Sequence, residues 1–309
     1  MASLRDTRNR IISVRNMQQV TRAMKMVAAA KMRRAQERIF RTRPYAFMIG
    51  GIITHLKSHL DTSAHPLFQR REGGAGGVLL IIVTADRGLA GGFNSNIIKL
   101  AEHTIREELA DVHARGDLHL LCVGRKGHDH FSRRGYRLVG DYRGAFEDLK
   151  FSLASDVVDV AVEGFLNGTW DEVKVVYNEF RNTISQNRIV EPFLPIPKNR
   201  FLTPIMEREI KRHEGPEGRY AVDYIFEPDA SDILETLVPR YLNYQMWRIL
   251  LESNAAEQGA RMVAMDNATS NAEELLRELR LKYNRARQDA ITKEIIEITS
   301  GADAHESAS

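Results

Sequence analysis

The segment whose residue types and spacing best suit a binding or catalytic role is a glycine-rich one, residues 84–94, with the sequence TADRGLAGGFN. It follows a strand-like apolar run and precedes a helical pattern, which is where phosphate-binding loops occur in α/β proteins. It matches neither G-x-G-x-x-G nor G-x-x-x-x-G-K-[ST], and no Lys follows its glycines. We therefore interpret it as a tight structural turn built on Asp86, Arg87, Gly88 and Gly91, and nucleotide binding remains the alternative.

Other reactive side chains have plainer interpretations. His55 and His59 have the i, i+4 spacing of an H-E-x-x-H metal site, but Leu56 replaces the glutamate, which favours a solvated helix face. The only cysteine, Cys122, excludes an intramolecular disulfide, and its apolar surroundings predict an inert buried thiol. The chain also has no G-x-S-x-G motif. We therefore expect no catalytic residues, no cofactor site and no metal site.

The middle of the chain alternates between strand-like and helix-like patterns, which predicts a mostly parallel, Rossmann-like α/β sheet. The predicted strands are 78–84, 118–123, 173–180 and 188–194, and the predicted helices are 94–109, 125–134 and 153–166. Residues 195–219 contain four prolines and many charges, so we expect an exposed loop there. A last strand is expected at 220–226.

Both ends of the chain predict long helices. From Ser3 there is no Gly or Pro until Pro44, and Val14, Met17, Val20, Met24 and Val27 recur at helical spacing. After Pro239 the chain contains no further Pro and reaches Gly301, an expected helix end. Steps of four and three residues mark a heptad seam in this second helix, formed by Leu251, Ala255, Gln258, Met262, Met265, Thr269, Ala272, Leu276, Leu279, Tyr283, Ala286 and Ala290.

The seam predicts the fold class: α/β with long helices, in which the N- and C-terminal helices form an antiparallel coiled coil beside the α/β domain. Its small residues favour a slender, projecting pair, and a helix packed in a globular core is the alternative. The expected divisions are a shaft helix over 1–60, an α/β foot over 75–229, a second shaft helix over 230–300 and a tail over 301–309.

Charge is concentrated at the N-terminal end. Residues 1–43 contain twelve Lys or Arg and two Asp or Glu, although the whole chain carries only +3. Such a segment attracts an acidic protein surface, nucleic acid or an anionic membrane. It also resembles a mitochondrial presequence in composition, but the helical pattern continues to Thr42 without a processing break. The longest apolar run, 78–83, is far shorter than the roughly 20 residues of a membrane-spanning helix.

Three segments, taken together and in order, resemble the gamma subunits of F-type ATP synthase of the bacterial type. They are residues 11–34, residues 84–94, and residues 252–273 with their continuation at 283–302. Ala90 stands where many members of that family carry Cys. The 195–219 loop lacks the cysteine pair of the light-regulated chloroplast relatives, and Asp289 falls where a small residue is common.

The resemblance implies a non-catalytic central-stalk rotor subunit of a proton-translocating enzyme. Its coiled coil would enter a hexamer of alpha and beta subunits, and its α/β domain would lie against the epsilon subunit and the membrane c-ring. By the same resemblance, Arg287, Gln288 and Thr292 would lie near a polar loop of a beta subunit, and Met24 and Lys25 would face an acidic lever of a beta subunit. A solvated charge is the alternative for Lys25. The expected location is peripheral, at the cytoplasmic face of the bacterial inner membrane, with no nucleic-acid partner.

Overall fold

The computed structural model describes residues 4–59, 65–69, 76–183, 185–197 and 230–306. They form two compact units. The sheet unit comprises described residues between 29 and 261, and the paired-helix unit comprises residues 4–28 and 262–306. Two long helices, α1 (Leu4–His59) and α6 (Ala230–Glu306), contribute to both units.

The sheet unit is built on four strands: β1 (Val78–Val83), β2 (Leu118–Val123), β3 (Glu172–Phe180) and β4 (Gln186–Leu194). Their order is β2-β1-β3-β4. Strand β1 is parallel to both of its neighbours, and β4 is antiparallel to β3. The mostly parallel sheet expected from the sequence is confirmed. Every residue of β1 and β2 is buried, because helices cover both faces of the sheet.

Helices pack on the two faces of the sheet. On one face, Leu80 and Ile82 of β1 pack with apolar residues of α2 (Phe93–Glu107), α3 (Ala110–Arg115) and α4 (Arg125–Ser132). On the other face, alternate strand residues pack with α5 (Phe151–Leu166) and with the parts of α1 and α6 that belong to this unit. A short 3-10 helix, Pro66–Phe68, adds Leu67 to the second core. This double cover is why the strands lack the apolar-polar alternation of a half-exposed sheet.

In the paired-helix unit, α1 and α6 run antiparallel. Thr21 is hydrogen-bonded to Thr269, and Lys25 is paired with Asp266, so a higher number on α1 meets a lower number on α6. Ile11 and Val14 pack with buried residues of the predicted seam, among them Ala272, Leu276 and Leu279. The expected antiparallel coiled coil is confirmed, and the seam of α6 is the one that its heptad spacing predicts.

The packed face of α1 is not its most apolar face. Met17, Val20 and Val27 are more than half exposed, whereas Val14, Thr21 and Ala28 are buried. The buried positions share a three-and-four spacing with Ile11 and Gln18, which are half-buried. The apolar spacing therefore predicts the helix correctly, although several of the residues that define it face outward.

The two long helices continue through a proline and a glycine, residue types that commonly end helices. Helix α1 continues through Pro44 to His59, and α6 continues through Gly301 to Glu306. The helix end expected at Gly301 is therefore wrong. Glycine permits the left-handed conformation of a C-terminal cap but does not enforce it, so a helix can continue through it at modest cost.

Some sequence-based expectations lie outside the described residues. These are residues 198–219 of the expected exposed loop and the expected strand over 220–226. Within the described ranges, no helix combines the length and the apolar character that a bilayer span requires.

Candidate partner-contact sites

The glycine-rich segment 84–94 is organised by the buried carboxylate of Asp86. Its Oδ1 accepts hydrogen bonds from the backbone N–H groups of Arg125 and Gly144, at 2.8 and 2.7 Å. Its Oδ2 accepts one from Phe146 N–H at 2.8 Å. These charge-assisted bonds join three separate parts of the chain at the carboxyl ends of β1 and β2. Asp86 therefore acts within the chain as a structural anchor.

Asn94 and the residue conformations around it close the turn. Asn94 Oδ1 accepts from Ala85 N–H at 2.8 Å, and its amide nitrogen donates to the Arg87 carbonyl at 3.3 Å. Leu89 and Gly91 both have positive φ, at 62° and 57°, and Leu89 is 66% exposed. A β-carbon at Gly91 would be strained by that φ, but leucine at position 89 carries the same strain and presents its side chain to solvent.

A small polar cavity of about 130 Å³ adjoins this turn in the sheet unit. Buried Glu257 lies on its wall and pairs with Arg261 at 2.6 Å, and Arg261 also donates to the Gly88 carbonyl at 3.2 Å. Burial raises the pKa of Glu257, and the nearby guanidinium of Arg261 opposes that shift. Three basic side chains (Lys31, Arg87 and Arg261) and three acidic ones (Asp86, Glu147 and Glu257) line this cavity. Their formal charges balance, so the cavity has no net positive charge to attract a nucleotide phosphate.

Met24 and Lys25 lie on α1 in the paired-helix unit. The Met24 side chain is half-buried, and Lys25 Nζ lies 2.5 Å from Asp266 Oδ1 of α6. The side chains of Lys25 and Asp266 are 40% and 53% exposed, so the pair is open to solvent and to a partner. Lys25 is therefore not an isolated solvated charge within the chain.

Arg287, Gln288 and Thr292 are all exposed on α6. Gln288 and Thr292 are one helical turn apart and share a face. By the register of the Thr21 and Thr269 contact, the first described residue of α1, Leu4, lies opposite residue 286. The three residues thus begin the part of α6 that has no described residue of α1 beside it.

A buried polar cluster in the sheet unit was not anticipated from the sequence. Arg248 of α6 is 1% exposed, and its guanidinium lies 2.7 Å from Glu191 Oε1 on β4 and 2.9 Å from the Tyr177 hydroxyl on β3. It also bonds Gln245 at 2.9 Å and lies 3.6 Å from Glu252. An arginine between Trp247 and the apolar triplet 249–251 was the available sequence signal, because a charge inside an apolar run requires a buried partner.

The remaining reactive groups among the described residues do not form a reaction centre. Burial raises the pKa of the Cys122 thiol to about 12, which keeps it protonated and unreactive. No group of three or more His, Cys, Asp or Glu side chains suited to a metal ion occurs among the residues that the structure describes. His55 and His59 belong to α1, but their side chains lie outside the described part of the chain.

Comparisons with known proteins give a consistent result. A family model described as ATP synthase matches residues 3–304. The chain is 64% identical to the ATP synthase gamma chain of Salinibacter ruber, with 99% of each chain covered. It is 49% identical to the ATP synthase gamma chain of Chloroherpeton thalassium, again with 99% of each covered.

Solved structures show the same fold. A chain of the central stalk and c-ring of the Tetrahymena thermophila mitochondrial ATP synthase matches with a TM-score of 0.54 and 25% identity, covering 81% of this chain and 99% of that one. A chain of the Euglena gracilis mitochondrial ATP synthase matches with a TM-score of 0.63 and 19% identity, covering 99% of this chain and 95% of that one.

Proposed function

The chain belongs to the family of ATP synthase gamma chains, and from this membership we propose that its paired helices turn inside a ring of alpha and beta subunits. It is a non-catalytic subunit of the central stalk. Its rotation would couple a proton-driven c-ring to the conformational cycle of three beta subunits. An asymmetric rod contacts each surrounding subunit differently, so it can favour a different nucleotide affinity in each.

The observation that supports this function best is the apolar surface of the paired-helix unit. Large apolar side chains are about half exposed or more on both helices: Ile12, Met17, Val20, Met26, Val27, Leu281, Ile291, Ile295, Ile296 and Ile298. A soluble protein seldom leaves so many exposed on one slender element, and such surfaces mark protein partners. A ring of subunits that encloses the helix pair would cover them from all sides.

Polar contacts with the beta subunits would then be few and weak. We place Arg287, Gln288 and Thr292 against a polar loop of one beta subunit, and Met24 and Lys25 against an acidic lever. Exposed ion pairs and hydrogen bonds are worth about 0–1 kcal/mol each, which permits successive contacts to form and break during rotation. Lys25 would exchange Asp266 for the partner's carboxylates, since both side chains of the Lys25–Asp266 pair are exposed.

The sheet unit would carry the contacts with the epsilon subunit and the c-ring. This placement would put the chain at the cytoplasmic face of a bacterial inner membrane, attached through its partners. The membrane-anchored c-ring would supply the turning force, and the paired helices would deliver it to the hexamer. No residue of the chain would take part in ATP chemistry, because the catalytic sites of the enzyme lie on the beta subunits.

A cysteine cross-link in the assembled enzyme tests this placement. Cys122 is the only cysteine and is buried, so a Gln288→Cys variant offers one reactive thiol. We expect it to form a disulfide with a cysteine placed in a beta-subunit polar loop, and to stop ATP hydrolysis until a reductant is added. Arg133→Cys, exposed on the sheet unit, is the matched control and should not cross-link to that loop.

A second measurement tests coupling. Membrane vesicles that lack their gamma chain should regain ATP-driven proton uptake when this chain is supplied with the other subunits of its own organism. Failure of the chain to assemble with alpha and beta subunits, or unchanged coupled synthesis without it, would refute the proposal.

A further inference from the structure

The Arg248 cluster joins three separate elements of the sheet unit through directional bonds. Arg248 on α6 bonds Glu191 on β4 and Tyr177 on β3, and the Tyr177 hydroxyl donates to the other oxygen of Glu191 at 2.7 Å. Arg248, Tyr177 and Glu191 are buried, at 1%, 0% and 7% exposed. Burial acts to lower the pKa of Arg248, but Glu191 and the other nearby groups outweigh it and raise that pKa well above its ordinary value.

Apolar packing around the cluster restricts the rotation of α6 less sharply than directional bonds do, because the hydrophobic effect is non-directional. Met246, Ile249 and Leu250, which flank Arg248 on α6, belong to the apolar core of the sheet unit. A hydrogen bond, in contrast, depends on both distance and angle. A side chain at the surface of a helix lies about 5–6 Å from its axis, so a roll of about 20° moves it by about 2 Å, which breaks a hydrogen bond.

We propose that Arg248 is a positioning residue that fixes the rotational setting of α6 against β3 and β4, so that turning force applied to the sheet passes into α6 without slip. The inference rests on the proposed rotor function. Buried ion pairs contribute little net stability compared with apolar replacements of the same volume, and fixing one packing arrangement is their best-attested role. Glu252 adds a second carboxylate one turn along α6, 3.6 Å from the guanidinium.

Single-molecule rotation measurements on the assembled enzyme test the inference. The hexamer is held on a surface, rotation is arrested with a non-hydrolysable nucleotide, and a bead on the sheet unit reports its angular fluctuations. Arg248→Lys keeps the positive charge but replaces the planar guanidinium with a single ammonium nitrogen. The two nitrogens that bond Glu191 and Tyr177 become one, so we expect the variance of the bead angle to rise about twofold. Glu191→Gln keeps the shape of its partner and should also broaden the distribution.

Ile249→Ala is the matched control. Ile249 is adjacent to Arg248 and fully buried, so its truncation lowers the stability of the sheet unit without touching the polar cluster. It should lower the unfolding temperature and leave the angular variance at the wild-type value. Equal broadening in Ile249→Ala and Arg248→Lys would reduce Arg248 to a general packing role and overturn the inference.

The outcomes also separate this inference from the proposed function. If the wild-type chain does not assemble or does not rotate, the rotor function itself fails. If the wild type rotates and the Arg248→Lys and Glu191→Gln variants show wild-type variance, only the positioning role of Arg248 fails. A variant that assembles poorly is replaced by Tyr177→Phe, which removes one hydroxyl from the cluster and should broaden the distribution in the same direction.

Discussion

Lys25 and Asp266 form an ion pair across the antiparallel helices, with Lys25 Nζ 2.5 Å from Asp266 Oδ1. Both side chains are well exposed, so water screens their attraction. The pair shows that Lys25, which the resemblance assigns to a beta subunit, has a partner within its own chain. Contact with a beta subunit would be an exchange of one carboxylate for another.

A double-mutant cycle with Lys25→Ala and Asp266→Ala tests the strength of this pair. We expect a coupling energy of about 0.2–1 kcal/mol in the free energy of unfolding, because exposed pairs gain little over solvation. The coupling should decrease as salt is added. Urea unfolding of the free chain at two salt concentrations provides the measurement. A coupling energy that is large and insensitive to salt would contradict this expectation.

The Thr21 and Thr269 hydroxyls lie 2.8 Å apart in the seam, and each is also within hydrogen-bond distance of a carbonyl of its own helix. Because a hydroxyl has one proton, one of the two threonines donates to the other, which in turn donates to its own carbonyl. Thr21→Val alone or Thr269→Val alone should lower the free energy of unfolding by about 1 kcal/mol, since one hydroxyl loses its partner. The double variant should lose less than the sum, because both polar groups are removed together. Thermal unfolding by circular dichroism measures the three changes, and strict additivity would count against a direct contact.

Asp86 should be a large contributor to the stability of the sheet unit. Asp86→Ala leaves the N–H groups of Arg125, Gly144 and Phe146 without their acceptor, and we expect a loss of about 2–4 kcal/mol in the free energy of unfolding. Urea unfolding followed by the fluorescence of buried Trp170 measures it. Asp148→Ala, an exposed carboxylate paired with Lys150, is the control and should change the midpoint little.

His119 should make the stability of the sheet unit depend on pH. Burial is the largest cause that lowers its pKa below the ordinary value of 6.5, and Arg137 acts in the same direction. The unfolded chain therefore binds more protons than the folded chain below pH 6.5, so the free energy of unfolding decreases as pH falls through that value.

His119→Phe should remove this contribution, since the ring can still pack near Trp170. The free energies of unfolding of wild type and variant are measured at several pH values on either side of 6.5. As the pH falls, the stability of the wild type should decrease relative to that of the variant. A constant difference would show that His119 titrates alike in both states.

The sequence predicts where helices and strands occur better than it predicts which side of each helix is buried. The apolar runs at 78–83 and 118–123 could be assigned as strands because about six residues is a typical strand length and is too short for a typical helix. In α1, however, Met17 and Val20 are exposed while Thr21 is buried. Helical spacing marks an apolar face, but it does not reveal whether that face packs within the chain or against a partner.

The sequence also identified some of the candidate site residues and missed others. Asp86 could be singled out because it lies in a short glycine-rich turn after a buried strand, but its partners, the N–H groups of Arg125, Gly144 and Phe146, are 39, 58 and 60 positions away and could not be predicted. Arg248 was missed because its partners, Glu191 and Tyr177, are 57 and 71 positions away in the chain, and only the sheet brings them together. Arg287, Gln288 and Thr292 are exposed, so their surroundings within the chain do not test the beta-subunit contact that the resemblance predicts for them.

The end of α6 that has no described residue of α1 beside it has a consequence for biogenesis. Residues 287–306 form about 30 Å of α6, and Ile291, Ile295, Ile296 and Ile298 are exposed along it. Newly made chains would aggregate through these exposed isoleucines. In the assembly proposed above, partner subunits would cover this end soon after synthesis, so that the supply of those partners would limit how much of the chain escapes degradation.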